Sequence, residues 1–348
     1  MIFNPWRSHT EIIHSSLFIS VATSLFIIDA LHGASIVYPI LFEISTLLFY
    51  SHGYIMTERK RGVPAVEVWN RKELIEVPEV GIGAIRFVYD TFLGRLLAKG
   101  ILCRKWVSDL YGLWQKSSLS KGKVKKFMEE YNISVEDCTE QEFSNFNAFF
   151  TRQRKEIKDL TAPHELPAVA DSKLSALPIG RNSRFTLKGV EYTLGELLEN
   201  EDLAKTYEGG YCLIFRLAPD DYHRYSFPDR GTAEDTHEIK GVLHTVNPIA
   251  GTMKVYRRNT RHYTVLRTEH FGEMIQMEVG ALLVGKICNH GHRSFRKLEE
   301  KGYFAYGGST AILLCKKDKI SVDQDILDYS AKGIETKVTL GERIGQAL

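Results

Sequence analysis

The chain has 348 residues, and its 45 basic and 43 acidic side chains leave a formal charge of only +2. A balance this even argues against nucleic acid as a partner, and the length suffices for a substantial core in one large or two small domains. Cys103, Cys138, Cys212, Cys288 and Cys315 are scattered and odd in number, which points to free, mostly buried thiols rather than a disulfide scaffold.

In chain order, residues 12–51 are unusually apolar. Positions 12–28 carry no formal charge, but 17 residues is the lower limit for a spanning helix, and Ser15, Ser16, Ser20, Thr23 and Ser24 dilute the run. A second uncharged run follows at 30–42. No small-residue cleavage site follows and only Arg7 precedes, which disfavours a secretory leader. The pattern predicts one or two membrane-embedded helices, with helices buried in protein as the alternative. The Glu58-Arg59-Lys60-Arg61-Gly62 cluster then marks a cytoplasmic boundary and linker, so that 1–62 forms an apolar N-terminal extension.

Residues 63–160 read as a helical, partly basic amphipathic region. Between Arg95 and Lys126 nine basic residues face a single acid, Asp109, and Leu96, Leu97, Ile101, Leu102, Trp106, Leu110, Leu113 and Trp114 interleave them. Such a segment suits an anionic membrane surface, or else a solvated helix packed on its own domain. Val124, Phe127, Met128 and Tyr131 keep helical spacing on one apolar face. Thr139 with Glu142 predicts a capping box for a helix running through Phe149 and Phe150.

After Pro163 the character turns to short β-rich segments, at 211–217, 262–268, 274–284, 310–315 and 337–340, punctuated by Gly, Asn, Asp and Pro. The predicted class is α+β: a helical, membrane-facing N-terminal part, then a β-rich catalytic domain over 161–348. Met274 and Met277 read as core or pocket wall. Cys288-Asn289-His290-Gly291-His292 offers three ligating side chains, but the spacing is not that of a zinc site and no metal is predicted.

The most telling residues are Gly307-Gly308-Ser309-Thr310, between the apolar runs 303–306 and 311–314. Glycine tolerates strained backbone that other residues resist, which suits a serine hydroxyl attacking the carbonyl before it. Alone, the tetrapeptide would be a hairpin turn. Its company changes that reading: Val169-Ala170-Asp171-Ser172-Lys173-Leu174, then residues 215–225 with Pro219-Asp220-Asp221-Tyr222-His223-Arg224, then Ser330-Ala331-Lys332-Gly333-Ile334-Glu335-Thr336.

These four segments, in this order, resemble the phosphatidylserine decarboxylase proenzymes, over about residues 68–348 and in their Gly-Gly-Ser-Thr branch. The resemblance implies cleavage between Gly308 and Ser309 and conversion of Ser309 to a pyruvoyl group, with no external cofactor. Fragments 1–308 and 309–348 would remain associated. Phosphatidylserine would be decarboxylated to phosphatidylethanolamine at a membrane, on its cytoplasmic face, and a homodimer is the common family state. It further implies an Asp-His-Ser triad in which Asp171 orients the base and Ser309 is the nucleophile. Here the chain departs from the pattern of the family it resembles. Where relatives commonly read Tyr-His-Arg-x-His, with the second histidine as the cleavage base, this sequence reads Tyr222-His223-Arg224-Tyr225-Ser226. Three readings stand open. His223 serves both processing and decarboxylation; His262 or His270 fills the vacated place; or the chain does not mature and is a non-cleaving, aminophospholipid-binding membrane protein.

Overall fold

The computed structural model describes residues 65–78, isolated positions between 86 and 103, and then 105–187, 190–245, 255–281, 286–305 and 309–348. The membrane helices expected within 12–51, and the basic cluster that follows them, lie outside the described residues. Among the described residues, no helix is long and apolar enough to cross a membrane.

The strand Ser309–Cys315 organises the rest. All seven of its residues are buried, because both faces of the strand are covered. Ala311, Leu313 and Cys315 enter one core with Leu213, Phe215 and Leu174, while Ile312 and Leu314 enter another with Ile214, Met277 and Val279. A strand buried on both sides needs an unbroken apolar run, and this is why Ala-Ile-Leu-Leu-Cys shows no polar alternation. The strand is antiparallel to Glu273–Val279 on one side and to Tyr211–Leu217 on the other. From Tyr211–Leu217 the sheet continues through Ser172–Pro178, Glu335–Val338, Ala65–Trp69 and Leu74–Pro78; on the other flank it runs through Arg261–Thr268 and Gly231–Ala233. It counts eleven strands among the described residues.

A smaller sheet of Lys286–Asn289, Glu300–Ala305 and Arg224–Ser226 completes the body around the Ser309 end. The mixed α+β character and the β-rich C-terminal body therefore match the sequence reading. The expected strands recur, with 274–284 ending at Val279 and 337–340 shifted to Glu335–Val338. Met274 and Met277 are fully buried core.

Two expectations need correction. Within 63–160, residues 65–78 form not helix but a hairpin that joins the main sheet, with Val68 and Trp69 parallel to Glu335 and Thr336. Its Ala-Val-Glu-Val-Trp and Leu-Ile-Glu-Val-Pro strands are β-branched and alternating, the pattern that suits a pleated surface. Nor does Thr139 cap a helix. Its amide and hydroxyl both reach Gln153 O, and the next helix begins only at Phe146. There Asn145 is the cap, its Oδ1 accepting from Ala148 N at 2.9 Å.

That Phe146–Phe150 helix packs with Gly122–Tyr131 through Val124, Phe146, Phe149 and Phe150, with Phe127 and Met128 partly buried alongside. The predicted apolar face thus turns inward. On the helix Lys105–Gln115 and the turn after it, Leu113, Trp114 and Leu119 are instead exposed, and Lys123 Nζ sits 3.6 Å from the Trp114 ring centroid.

Candidate active site

Ser309 is fully buried at the first position of its strand, opposite Leu217, with Thr310 opposite Arg216 and Val279. Among the described residues its Oγ has no hydrogen-bond partner. A buried hydroxyl so placed is costly as scaffold and available as a nucleophile. Gly307 and Gly308, on the other side of the expected scissile bond, lie outside the described residues.

Immediately beyond Leu217 the chain turns through Ala218–His223. Asp221 closes this turn: its Oδ2 accepts from Ala218 N at 2.7 Å and from Lys173 Nζ at 2.9 Å. Burial pushes the Asp221 carboxyl up to about 6, against the pull of Lys173. Lys173 is itself buried, a penalty that Asp221 and Asp220 outweigh, so its pKa stands above the usual lysine value. The main-chain carbonyl of Asp221 meanwhile lies 2.9 Å from His223 Nδ1. A carbonyl only accepts, so Nδ1 carries the proton and the neutral ring keeps its lone pair on Nε2. The Phe150 ring lies against the imidazole, with centroids 3.8 Å apart, and Phe304 N donates to His223 O at 2.9 Å. Phe304 stands five residues before Ser309, so a backbone hydrogen bond ties His223 to the strand Glu300–Ala305, which precedes the serine in the chain.

Asp171 lies just before Ser172–Pro178, at the same sheet end, but it holds a different partner. Arg154 spans its carboxylate with Nη1 to Oδ1 at 3.1 Å and Nη2 to Oδ2 at 2.5 Å, and Leu340 N adds a third bond at 2.8 Å. Arg154 also pairs with Asp137 at 3.0 Å and lies over the Tyr222 ring. Both Asp171 oxygens are therefore engaged, and no hydrogen bond joins Asp171 to His223. Ser226 is buried in the small sheet; its amide donates to Val169 O at 3.0 Å, and its carbonyl accepts from Gln276 Nε2. The vacated histidine position thus borders the chain two residues from Asp171.

The other candidate bases are further away. His262 faces Glu278, which in turn faces Ala311, so it sits two strands over and about 12 Å from Ser309 by strand spacing. Burial lowers its pKa. His270 is bonded to Asp229 at 3.1 Å, in the turn beside Met274, which pairs with Cys315 at the opposite end of the strand. That is about 20 Å away. Of the three histidines considered, the fold brings only His223 to the Ser309 end.

In the Cys288–His292 stretch, His290 turns to Glu300 at 2.7 Å and His292 to Glu299 at 3.7 Å. Sequence reasoning missed Arg154 and also His244, whose amide donates to Asn259 Oδ1 while Asn259 Nδ2 donates to Gly280 O, one residue past the Val279–Thr310 pair. Burial pushes His244 down to about 4, with Cys103 Sγ 3.2 Å from its Nδ1. Neither residue sits in a motif that spacing alone would reveal.

Comparison with known proteins points the same way as this arrangement. A family model described as phosphatidylserine decarboxylase matches residues 146–346. The chain is 43% identical over 287 residues to phosphatidylserine decarboxylase proenzyme 2 of Clostridium acetobutylicum, covering 81% of this chain and 99% of that protein. It is 39% identical to the phosphatidylserine decarboxylase proenzymes of Clostridium perfringens and Clostridium novyi, over 80% and 81% of its length and 99% and 100% of theirs.

Proposed function

The chain belongs to the phosphatidylserine decarboxylase family, and on that footing we propose that it is a self-processing enzyme that converts phosphatidylserine to phosphatidylethanolamine. The observation that carries this reading is the buried Ser309 hydroxyl, without a partner among the described residues, at the strand end where the His223 loop begins.

In processing, His223 Nε2 accepts the Ser309 hydroxyl proton as Oγ attacks the Gly308 carbonyl carbon, and the amide becomes an ester. Loss of the Ser309 Cα proton then expels the Gly308 carboxylate and cuts the chain. Hydrolysis of the resulting dehydroalanine releases ammonia and leaves a ketone at residue 309. The tautomer fixed by the Asp221 carbonyl is the one this proton transfer needs. Position 309 fits a pyruvoyl group, because the residue is enclosed and its side chain is committed to nothing else described. Once formed, that group supplies the electron sink that decarboxylation of an amino acid requires. His223 would also handle protons at the substrate.

The topology supports continued association after the cut. Fragment 309–348 contributes the central strand Ser309–Cys315 and also Glu335–Val338, which lies between Ser172–Pro178 and Ala65–Trp69. Arg71 reinforces this through Asp323 at 2.7 Å and Asp325 at 3.1 Å, and Trp69 stacks on Tyr329 at 4.3 Å. Exposed Leu113, Trp114 and Leu119, near Lys116, Lys121, Lys125 and Lys126, suit docking to an anionic membrane, on its cytoplasmic face.

Intact mass of purified protein tests the reading. We expect a 40-residue fragment, 309–348, with a blocked N-terminus, and carbon dioxide release from phosphatidylserine; Ser309→Ala should abolish both. A chain that remains uncut and inactive would instead favour the non-cleaving lipid-binding protein, the reading that Ser226 and the Arg154-bound Asp171 support.

A further inference from the structure

Arg152 is the buried charge for which the chemistry above has no use. Its residue is only 8% exposed. The guanidinium makes one long hydrogen bond, Nη1 to Phe149 O at 3.4 Å, and lies 4.9 Å from the Phe149 ring centroid. Among the described residues no carboxylate stands within ion-pair distance of it, although Asp171 and Tyr222 are electrostatic neighbours.

Other deeply buried cations are treated differently. Lys173 has Asp221, Arg216 has Glu335 at 2.6 Å, and Lys301 has Glu278 at 2.7 Å. Arg261, 1% exposed, reaches the carbonyls of Leu197, Arg257 and Asn259. Burying a cation without such partners is strongly unfavourable, so Arg152 is an exception that calls for a cause. Burial holds its pKa below the usual guanidinium value.

Its place suggests the cause. Phe150, two residues earlier, lies on the His223 ring, and Arg152 O accepts from Arg224 Nε at 3.0 Å, one residue after His223. Arg154 is already committed to Asp171 and Asp137. A guanidinium is a rigid fork of N–H donors that matches a pair of anionic oxygens, and among the described residues most of that fork is unused.

We propose that Arg152 is an anion-binding subsite beside His223, which takes an anionic oxygen pair of the lipid headgroup, either its phosphodiester or its serine carboxylate. This rests on the aminophospholipid reading above. The structural alternative is that Arg152 serves only as scaffold.

The test uses the full-length, uncut Ser309→Ala chain, titrated with glycerophosphoserine and with glycerophosphoethanolamine and followed by calorimetry or NMR. Adding Arg152→Gln should weaken glycerophosphoserine binding by about tenfold or more, as loss of a buried charge partner does. Arg152→Lys should fall between, because a point charge replaces a fork. If the carboxylate is the group held, glycerophosphoethanolamine binding is unchanged; if the phosphodiester is held, both probes weaken. Thermal melting supplies the control. Removing an unpaired buried charge should leave the melting temperature unchanged or raise it. Unaltered binding of both probes in Arg152→Gln overturns the proposal, and so does lost binding that comes with a sharply lowered melting temperature. Failure of the parent chain to bind either probe overturns the headgroup reading itself, and this subsite with it.

Discussion

Asp171 and Asp221 sit at the same end of two adjacent strands, and the fold uses them in opposite ways. Asp171 turns to the extended segment after the Phe146–Phe150 helix, where Arg154 takes both of its oxygens, and Leu340 N shares one. Asp221 turns its carboxylate inward to Lys173 and Ala218, and presents only its main-chain carbonyl to His223. A carboxylate orients an imidazole only through an oxygen it can spare. In the described contacts the His223 ring is met at Nδ1 by a backbone carbonyl, while the Asp171 carboxylate is met by Arg154 and Leu340 N. Each carboxylate can be altered separately, so the contrast can be tested.

The largest effect is expected at His223. His223→Ala should slow the appearance of fragment 309–348 by about 10²- to 10⁴-fold, the usual worth of a positioned base. Freshly translated protein sampled over time on denaturing gels would give the rate. Asp171→Asn should cost far less, about tenfold, if the residue acts through Arg154, the partner it meets in the structure, and not on the imidazole. A loss as large as that of His223→Ala would show that Asp171 does orient the base, and the contrast between the two carboxylates would fail.

Restoring the family histidine probes the same contrast from the other side. Ser226 borders the chain two residues from Asp171, so Ser226→His places an imidazole on that side of the site. Alone it should change cleavage only a few-fold, since Arg154 already holds Asp171. Combined with Arg154→Leu, which frees the carboxylate, it should accelerate cleavage further than the sum of the two single changes. Strict additivity would mean that Arg154 and position 226 do not compete for Asp171.

Much of this arrangement was legible in the residues, for reasons that can be named. Ser309 stood out because two glycines and two apolar runs frame it, and a strand buried on both faces writes an unbroken apolar stretch. Asp171 could be found, but its partner could not: Arg154 lies 17 residues away in an extended segment, and no periodicity joins the two. The hairpin at 65–78 was hidden because five-residue strands lie below the length at which pattern separates them from a basic helical region. Thr139 misled because a capping box is local, whereas the hydrogen bonds to Gln153 O, beside the Cys138–Arg154 bridge, are not.

The smallest expected effect concerns pH. The Asp221 carboxyl is raised from its ordinary 3.8 to about 6, with burial as the leading cause. The native chain then binds this proton more tightly than the unfolded chain does. Its contribution to stability is accordingly complete below about pH 3.8 and lost as pH rises through about 6. Processing should show the reverse trend. As pH falls through 6, the carboxylate is neutralised, its bond to Lys173 weakens, and the turn that holds the His223 tautomer loosens. Asp221→Asn removes both dependences: the cleavage rate should be a few-fold lower at neutral pH, and the step near pH 6 attributable to this group should vanish. The matching limb of the melting curve between pH 4 and 6 should flatten as well. Persistence of the full step in both profiles would assign it to another group, and with that the Asp221 carboxylate would lose its part in holding the base.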